Sequence, residues 1–199
     1  MERATAEATV RYEKGHKEAT RQRITEVASR RFRDEGISAV GLAGVMSDAG
    51  LTNGAFYAHF ESKEDLVREV VEQALEGQRA AMTAAVEERG LEGVVRDYLD
   101  LSHRDQRAEG CPSAALLDEI GRRPEATRDA YTRRLLALVD VVAAHLVDDD
   151  PEVRRVKALA VFGSLVGTLQ LARAITDEKL SAHLLEQGVR AAMTLIDTL

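Results

Sequence analysis

The sequence predicts an all-α fold, and three observations support that prediction. Only three of its 199 residues are Pro, while Ala, Leu, Arg and Glu, which all favour helices, are abundant. Apolar residues recur at helical spacing in one segment after another. No strand-like alternation and no internal repeat is visible. We expect about nine helices, arranged as a small three-helix N-terminal domain and a larger C-terminal helical domain.

The chain opens with residues 1–16, which have no periodic apolar pattern. Such a segment is expected to be a mobile arm. Residues 17–35 follow as the first helix of a domain that spans 17–62, and Gly36 ends this helix. The apolar face of the helix consists of Ile24, Val27, Ala28 and Phe32.

Residues 42–60 predict two short helices joined by a tight turn. The first helix has one apolar face, formed by Leu42, Val45 and Met46. Gly50 can adopt the left-handed conformation that closes a helix, and Thr52 is placed to cap the second helix, residues 53–60. Two helices joined by a short turn containing Gly form a helix-turn-helix, whose second helix enters the major groove of DNA.

The second helix of this motif divides its side chains between two faces. Phe56 and Phe60 lie four residues apart and can be buried together. Asn53, Tyr57 and His59 point elsewhere, and their polar tips suit phosphates and base edges. An ordinary helical hairpin with an aromatic core would show the same pattern, so that alternative stays open. After it, Ser62 is expected to cap the next helix.

One run of residues carries a family resemblance. The pattern Ala49-Gly50-Leu51-Thr52-x-Gly54-x-Phe56-Tyr57-x-His59-Phe60-x-Ser62-Lys63-x-x-Leu66 resembles the signature of TetR-type (tetracycline-repressor-like) transcriptional regulators. The resemblance implies an all-helical homodimer with an N-terminal three-helix DNA-binding domain. It also implies that Thr52, Tyr57, His59 and Lys63 match residues that contact DNA, mostly its phosphates. We expect the DNA contacts to be Lys17, Thr52, Asn53, Gly54, Ala55, Tyr57, His59 and Lys63.

Three positions depart from the family pattern. Val40 stands where the family usually has a Thr that caps the first motif helix. Gly41 and Gly44 replace better helix formers, each at a cost of about 0.5–1 kcal/mol relative to Ala. We expect this helix to depend on packing and to make a weaker phosphate contact.

Charge is distributed unevenly along the chain. The net charge is −7, yet residues 11–33 carry eight Lys or Arg against three Glu. From residue 66 onward there are 17 basic and 23 acidic side chains. A basic N-terminal part joined to an acidic remainder is typical of a protein that binds DNA through its basic part and has another function in the remainder. A solvated, charge-laced helix would give the same local excess.

The basic residues near the N-terminus allow two interpretations. Arg11, Lys14, His16 and Lys17 could reach a DNA backbone or groove, or they could belong to a frayed tail. One cysteine excludes an intrachain disulfide, and no signal peptide is visible. Both observations predict a cytoplasmic location.

The remaining residues, 63–199, are predicted to form an effector-binding and dimerisation domain. A long helix, 63–89, begins in the DNA-binding domain and is stopped by Gly90, and another helix covers 91–103. Pro112, Pro124 and Pro151 can each occupy the first position of a helix. The later helices are predicted near 112–121, 124–147, 151–174 and 178–198.

A dimer interface is predicted on the last two helices. Residues 158–172 contain no charge, which is too short a stretch to span a bilayer, and a helix apolar on all sides must be buried. Gly163 and Gly167 would let another helix approach closely. An internal core helix is the alternative. The predicted interface residues are Phe162, Gly163, Val166, Gly167, Gln170, Leu184, Ala192 and Met193.

A ligand pocket is predicted between the helices of the body. Its predicted lining is Tyr98, Leu101, Cys111, Leu116, Leu117, Arg128, Tyr131, Leu135 and Phe162, with Arg128 or His103 as a polar anchor for an apolar ligand. Cys111 precedes Pro112 at a helix N-terminus, which favours a thiolate and allows a thiol-reactive signal to act there. A buried, unreactive thiol is the more general alternative.

Enzymatic function is not expected. The five histidines are dispersed, and no phosphate loop, nucleotide fingerprint, nucleophile elbow or metal-ligand pattern is visible, so no cofactor is expected. The sequence therefore predicts a DNA-binding transcriptional regulator, a repressor released from a palindromic operator by a small molecule. A helical ligand-sequestering or protein-interaction module without DNA binding is the alternative.

Overall fold

The computed structural model describes residues 2–198, and the side chains of residues 15–198. Its α-helices, in chain order, are α1 (Glu2–Glu35), α2 (Leu42–Asp48), α3 (Lys63–Tyr98), α4 (Leu101–Asp105), α5 (Pro112–Gly121), α6 (Glu125–Ala143), α7 (Pro151–Ala174) and α8 (Glu178–Thr198). Two 3-10 helices lie at Asn53–Ala58 and Arg107–Glu109. The described residues contain no β-strand, and the predicted all-α fold is confirmed.

Helix α1 extends further toward the N-terminus than the sequence predicts. It begins at Glu2, so the backbone of residues 2–16 is helical where a mobile arm is expected. Ala, Glu and Arg favour a helix even without an apolar face, which is why a search for periodicity misses this part. The side chains of Arg11 and Lys14, named above as possible DNA contacts, lie outside the described residues.

The N-terminal core is enclosed by α1, α2, the first 3-10 helix and the first turns of α3. Its largest buried side chains include Ile24, Phe32, Ile37, Met46, Phe56, Phe60, Leu66 and Leu75. Gly36 and Gly50 turn the chain at φ +89° and +68°, a conformation that costs other residues energy. Ser62 caps α3 as predicted, because its Oγ accepts the Asp65 N–H at 3.1 Å.

Gly90 interrupts α3 at the predicted position. Its φ of 68° and ψ of −177° are not helical, so residues 63–89 form the long helix that runs from the N-terminal core into the body. The predicted helix 91–103 is divided in two, because α3 ends at Tyr98 and Asp100 caps α4 through a 2.8 Å bond from the Ser102 N–H.

The body core lies between α6, α7, α8 and the second half of α3. Its buried residues include Leu138, Phe162, Leu165, Leu169 and Leu185. Pro112 and Pro151 occupy the first turns of α5 and α7 as predicted. Pro124 instead precedes α6 as its N-cap, and α6 ends at Ala143 rather than near residue 147.

Helix α7 is the one described helix whose length and hydropathy would allow it to cross a membrane. Core helices share these properties. Seven of its residues are buried, and α7 packs against both α6 and α8. Packing within this fold therefore accounts for the apolar residues on one face of α7.

Candidate DNA-binding surface and ligand pocket

The 3-10 helix Asn53–Ala58 presents two different faces, as the sequence predicts. Phe56 is fully buried, whereas the neighbouring Tyr57 is 71% exposed. The Phe56 ring stacks on Phe60 with a centroid distance of 5.5 Å and meets Tyr57 edge-on at 5.3 Å. Two phenylalanines therefore anchor the helix while Tyr57 faces solvent.

The start of this helix leaves polar groups free. Thr52 occupies the N-cap position with φ −76° and ψ 149°, but its hydroxyl makes no capping bond, which differs from the predicted side-chain cap. Thr52, Asn53 and Gly54 are exposed, and Ala55 is partly buried. An exposed hydroxyl and amide beside unpaired helix N–H groups are suited to phosphate oxygens.

Arg21 on α1 holds the end of the 3-10 helix in place. Its guanidinium lies 4.1 Å from the Phe60 ring centroid, forms an ion pair with Glu69 of α3, and donates to the His59 carbonyl. A planar guanidinium can do all three at once. The sequence gives no signal that separates Arg21 from the other arginines of α1, so its role emerges only from the fold.

His59 lies between the 3-10 helix and α1 and is partly buried. Burial lowers its pKa, and the positive charges of Lys17, Arg21 and His16 lower it further. Its Nδ1 has no hydrogen-bond partner, and the side chains of Lys17 and His16 are exposed. His16, Lys17 and His59 border one groove between α1 and the 3-10 helix. The groove brings together the predicted DNA contacts Lys17 and His59 from two helices.

Lys63 has a structural role that the sequence does not predict. Its ammonium donates to the carbonyls of Ile37 and Val40, at 2.6 Å each. Burial lowers its pKa, and the nearby Arg123 lowers it further. The free ammonium expected of a phosphate contact is therefore replaced here by a tie to the loop between α1 and α2, and the DNA contact of Lys63 stays a prediction.

The same loop is held from the other side by α5 of the body. The Glu119 carboxylate accepts the N–H groups of Ile37 and Ser38, at 2.9 and 2.8 Å, and the Ser38 hydroxyl at 2.6 Å. Burial acts to raise the pKa of Glu119, but the bonds from Ser38 and Ile37 outweigh it and lower the pKa. Helix α5 is thus fixed directly to the DNA-binding domain.

The main candidate ligand site is a cavity of about 540 Å³ between α1, α3 and residues 103–112. That volume suits a small organic ligand. Its lining residues are Arg33, Gln73, Ala74, Gly77, Gln78, Ala81, Met82, Ala85, Arg89, Val94, Asp97, Tyr98, His103, Glu109, Gly110, Cys111 and Pro112. Of the predicted pocket, Tyr98, Cys111 and His103 lie here.

The other predicted pocket residues lie elsewhere. Leu101, Leu117 and Arg128 are exposed, and Leu116, Tyr131 and Leu135 pack in or against the N-terminal core. Phe162 belongs to the body core. The structure therefore does not bring these seven residues to the cavity, and their contact with a ligand stays a prediction.

The lining residues that sequence analysis missed are mostly on α3. Ala74, Gln78, Met82 and Ala85 recur at helical spacing along this helix, and that periodicity is the signal that could have located them. Arg33 adds α1 to the wall, and its Nε donates to the Ala108 carbonyl at 2.5 Å. Burial lowers the pKa of Arg33.

Two residues that line the cavity, Tyr98 and Gln78, each have a buried polar atom. Tyr98 is 6% exposed, and neither its hydroxyl nor Oε1 of Gln78 forms a hydrogen bond in the structure. Burial raises the pKa of Tyr98 well above its usual value, as do the neighbouring Cys111 and Tyr131. The phenol is therefore neutral and can both donate and accept a hydrogen bond.

His103 fixes the segment that carries Cys111. Its Nε2 accepts the Cys111 N–H at 2.9 Å, so the proton of the neutral ring lies on Nδ1, which donates to the Tyr98 carbonyl at 2.7 Å. Burial lowers the pKa of His103, which favours this neutral form. A Cβ on Gly110 would stand 2.8 Å from the imidazole, so the close approach requires glycine.

Some residues of the predicted dimer interface lie in the core of the subunit, and others lie on its surface. Phe162, Val166 and Ala192 are buried in the body core, which corrects their assignment, because periodicity alone does not say which arc of an apolar helix faces its own bundle. Gly163 and Gln170 are exposed, and Gly167, Leu184 and Met193 are partly buried. Apart from neighbouring backbone of α7 itself, no atom of the described residues lies within 4 Å of a Cβ built on Gly163 or Gly167.

The exposed arc of α7 carries apolar side chains beside these glycines. Val156 and Leu171 are 61% and 60% exposed, and positions 156, 160, 163, 167 and 171 follow one helical face.

Among residues 15–198, no group of three or more His, Cys, Asp or Glu side chains is arranged to hold a metal ion.

Comparison with known proteins agrees with this architecture. Residues 24–70 match the family model for bacterial regulatory proteins of the tetR family. The chain is 29% identical to "Probable HTH-type transcriptional regulator ArpR" of Pseudomonas putida, over 96% of this chain and 82% of that protein. It is also 29% identical to the HTH-type transcriptional regulator TtgR of Pseudomonas putida, over 92% of this chain and 79% of that protein.

A solved structure shows the same fold. The TetR-family transcriptional regulator from Agrobacterium tumefaciens superposes with a TM-score of 0.72 at 20% identity, covering 90% of this chain and 98% of that chain. With the helix-turn-helix of residues 42–60, these findings identify the chain as a DNA-binding transcriptional regulator whose residues 24–70 match the tetR family and which resembles TetR-type regulators over most of its length.

Proposed function

We propose that this regulator is a cytoplasmic repressor that binds a near-palindromic operator as a homodimer and is released by a small molecule. The DNA-binding part of this proposal rests on the 3-10 helix, in which Phe56 is buried and Tyr57 is exposed. Two such helices would enter successive major grooves, about 34–36 Å apart. The proposed contacts are Lys17, Thr52, Asn53, Gly54, Ala55, Tyr57, His59 and Lys63.

The homodimer uses the exposed arcs of α7 and α8. Gly163 and Gly167 allow the helix of a second copy to approach closely, and the exposed Val156 and Leu171 extend the contact along α7. Apolar side chains on such an arc favour association, because the hydrophobic effect rewards their burial. Gln170, Leu184 and Met193 complete the proposed surface.

In this proposal, release depends on the position of α5 between the ligand cavity and the helix-turn-helix. Cys111 and Pro112 at its start line the cavity, while Glu119 near its end holds the loop before α2. An effector that displaces the start of α5 therefore acts on the helix-turn-helix through one rigid element. The effector must bind the released conformation of the protein more tightly than the DNA-binding conformation, since a ligand with equal affinity for both conformations shifts no equilibrium.

A thiol-reactive signal is a second form of the effector. Cys111 is the sole cysteine and lines the cavity, so a thiol-reactive compound that enters it meets one thiol only. Cys111→Ser should abolish release by such compounds while leaving release by unreactive ligands intact. Release of the Cys111→Ser protein by a thiol-reactive compound would exclude the thiol as the sensor.

Selection of bound sequences from a random DNA pool tests the main proposal. The selected operator is then used in gel-shift titrations at salt concentrations from about 50 to about 200 mM. A dimer that contacts six or more phosphates should lose about 10³-fold in affinity over that range. The alternative, a ligand-sequestering or protein-interaction module, predicts neither sequence selection nor this dependence on salt.

A further inference from the structure

Arg123 lies in the turn between α5 and α6 and pairs with carboxylates from two different helices. Its guanidinium is 3.6 Å from a carboxylate oxygen of Glu64, in the first turn of α3, and 3.4 Å from one of Glu119, on α5. The Arg123 side chain is only 21% exposed, so solvent screens these pairs less than it screens pairs on the open surface. One guanidinium therefore joins the start of α3 to α5.

Each of the two carboxylates also makes a hydrogen-bonded connection of its own. Glu119 accepts two N–H groups of the loop between α1 and α2, as described above. Glu64 accepts the hydroxyl of Thr127, a residue of α6 that is 1% exposed, at 2.7 Å. The loop before α2 is thus bonded to α5, and the start of α3 is bonded to α6. Arg123 lies where these two connections meet.

The two connections depend on one shared cation. Within residues 15–198, neither Glu64 nor Glu119 has a second ion pair, and the ammonium of the neighbouring Lys63 bonds backbone carbonyls instead. Two carboxylates that lose the cation between them repel each other, most strongly where water is partly excluded. Removal of the Arg123 charge should therefore weaken both connections together.

The two connections flank the helix-turn-helix. The loop that Glu119 holds precedes α2, and Glu64 lies in the turn of α3 that follows the 3-10 helix. We propose that Arg123 is a positioning residue for DNA binding, which fixes the helix-turn-helix on the body at both of its ends and does not itself contact DNA. This role rests on the operator binding proposed above.

The adjacent arginine supplies a matched control. Arg122 is 74% exposed and pairs only with Asp118, so Arg122→Met removes the same charge from nearly the same place. We expect Arg123→Met to weaken binding of the selected operator about 10-fold and Arg122→Met to weaken it less than about 3-fold. The slope of log affinity against log salt should be unchanged in both variants, because neither loses a phosphate contact. Equal affinities of the two variants, or a slope reduced by about one in Arg123→Met, would overturn the proposal.

A mutant cycle separates positioning from a general loss of stability. The effects of Glu64→Gln and Glu119→Gln on operator affinity should be non-additive by at least about 3-fold in the natural protein, because both act through one guanidinium. In the Arg123→Met background the same two effects should add to within about 2-fold. Additivity in the natural protein, or equal non-additivity in both backgrounds, contradicts the role of Arg123.

Hydrogen exchange at the Ile37 and Ser38 amides tests the connection without DNA. Both N–H groups donate to Glu119, so their exchange should become at least about 10-fold faster in Arg123→Met and stay within about 2-fold in Arg122→Met. Unchanged exchange in Arg123→Met disproves the positioning role even in a protein that binds its operator. Faster exchange in a protein that selects no DNA sequence disproves the repressor and leaves the connection between helix-turn-helix and body in place.

Discussion

Glu119 of α5 accepts two hydrogen bonds from Ser38, one from its N–H at 2.8 Å and one from its hydroxyl at 2.6 Å. Glu119→Gln should lower the free energy of unfolding by about 1–2 kcal/mol. The side-chain NH₂ group of Gln would face a donor of Ile37 or Ser38 where a carboxylate oxygen now accepts. Chemical denaturation measures the change. Asp118→Asn, on the same helix, removes a charge whose only ion pair is exposed and should change stability by less than about 0.5 kcal/mol.

The Glu119 interaction also predicts a pH dependence. Its pKa is lowered in the folded protein, so its contribution is present above the unfolded pKa near 4.5 and is lost as pH falls through the folded pKa. The stability difference between the natural protein and Glu119→Gln should therefore shrink in acid. A difference that is constant from about pH 7 down to about pH 3 would contradict this account.

Arg21 should control the placement of the 3-10 helix rather than the fold as a whole. Arg21→Lys keeps the charge but loses the planar contact with Phe60 and the fork that holds Glu69 and the His59 carbonyl. We expect operator affinity to fall about 10-fold or more, measured by gel shift. Arg96→Lys, an exposed arginine paired with Glu92 on α3, is the matched control and should bind normally.

Tyr57 should affect DNA binding without affecting stability. Tyr57→Phe removes an exposed hydroxyl, so the melting temperature should stay within about one degree while operator affinity falls about 5- to 10-fold. Gel shift and thermal denaturation give the two values. An operator affinity equal to that of the natural protein would remove Tyr57 from the DNA contacts.

His103 should make stability depend on pH near neutrality. Its pKa is lowered by burial, so the folded protein prefers the neutral ring, and stability is lost as pH falls below about 6.5 toward the folded pKa. The protonated ring cannot accept the Cys111 N–H, which costs on the order of 1 kcal/mol. His103→Gln should reduce the loss between about pH 7.5 and about pH 5.5, measured by urea unfolding. His145→Gln, which replaces an exposed histidine two residues after α6, is the matched control.

The exposed arc of α7 should determine the oligomeric state. Gly167→Leu places a large side chain where its Cβ would meet no other described element of the subunit, so the subunit fold should survive. The proposed dimer should dissociate, because close helix approach is lost. Sedimentation of the natural and variant proteins, with circular dichroism as the fold control, decides the matter. A natural protein that sediments as a monomer would remove the dimer proposal.

Local signals located most helix ends but could not locate the cavity. Gly36, Gly50 and Gly90 have positive φ where the sequence places breaks, because only a residue without Cβ adopts this conformation cheaply. The cavity depends instead on which arcs of α1 and α3 face the segment 103–112. Tyr98 and Cys111 were anticipated, but Gln78 and Arg33 were not, since their burial arises from tertiary packing.

Arg33 and Lys17 lie on the same helix, one beside the ligand cavity and the other beside the 3-10 helix. About sixteen residues of α-helix separate them by about 24 Å. A tilt of about 5° pivoting at Arg33 would carry Lys17 through about 2 Å, enough to break a hydrogen bond to a phosphate. In the proposed mechanism, a ligand that tilts α1 from its cavity end by a few degrees would therefore move Lys17 far enough to weaken a DNA contact.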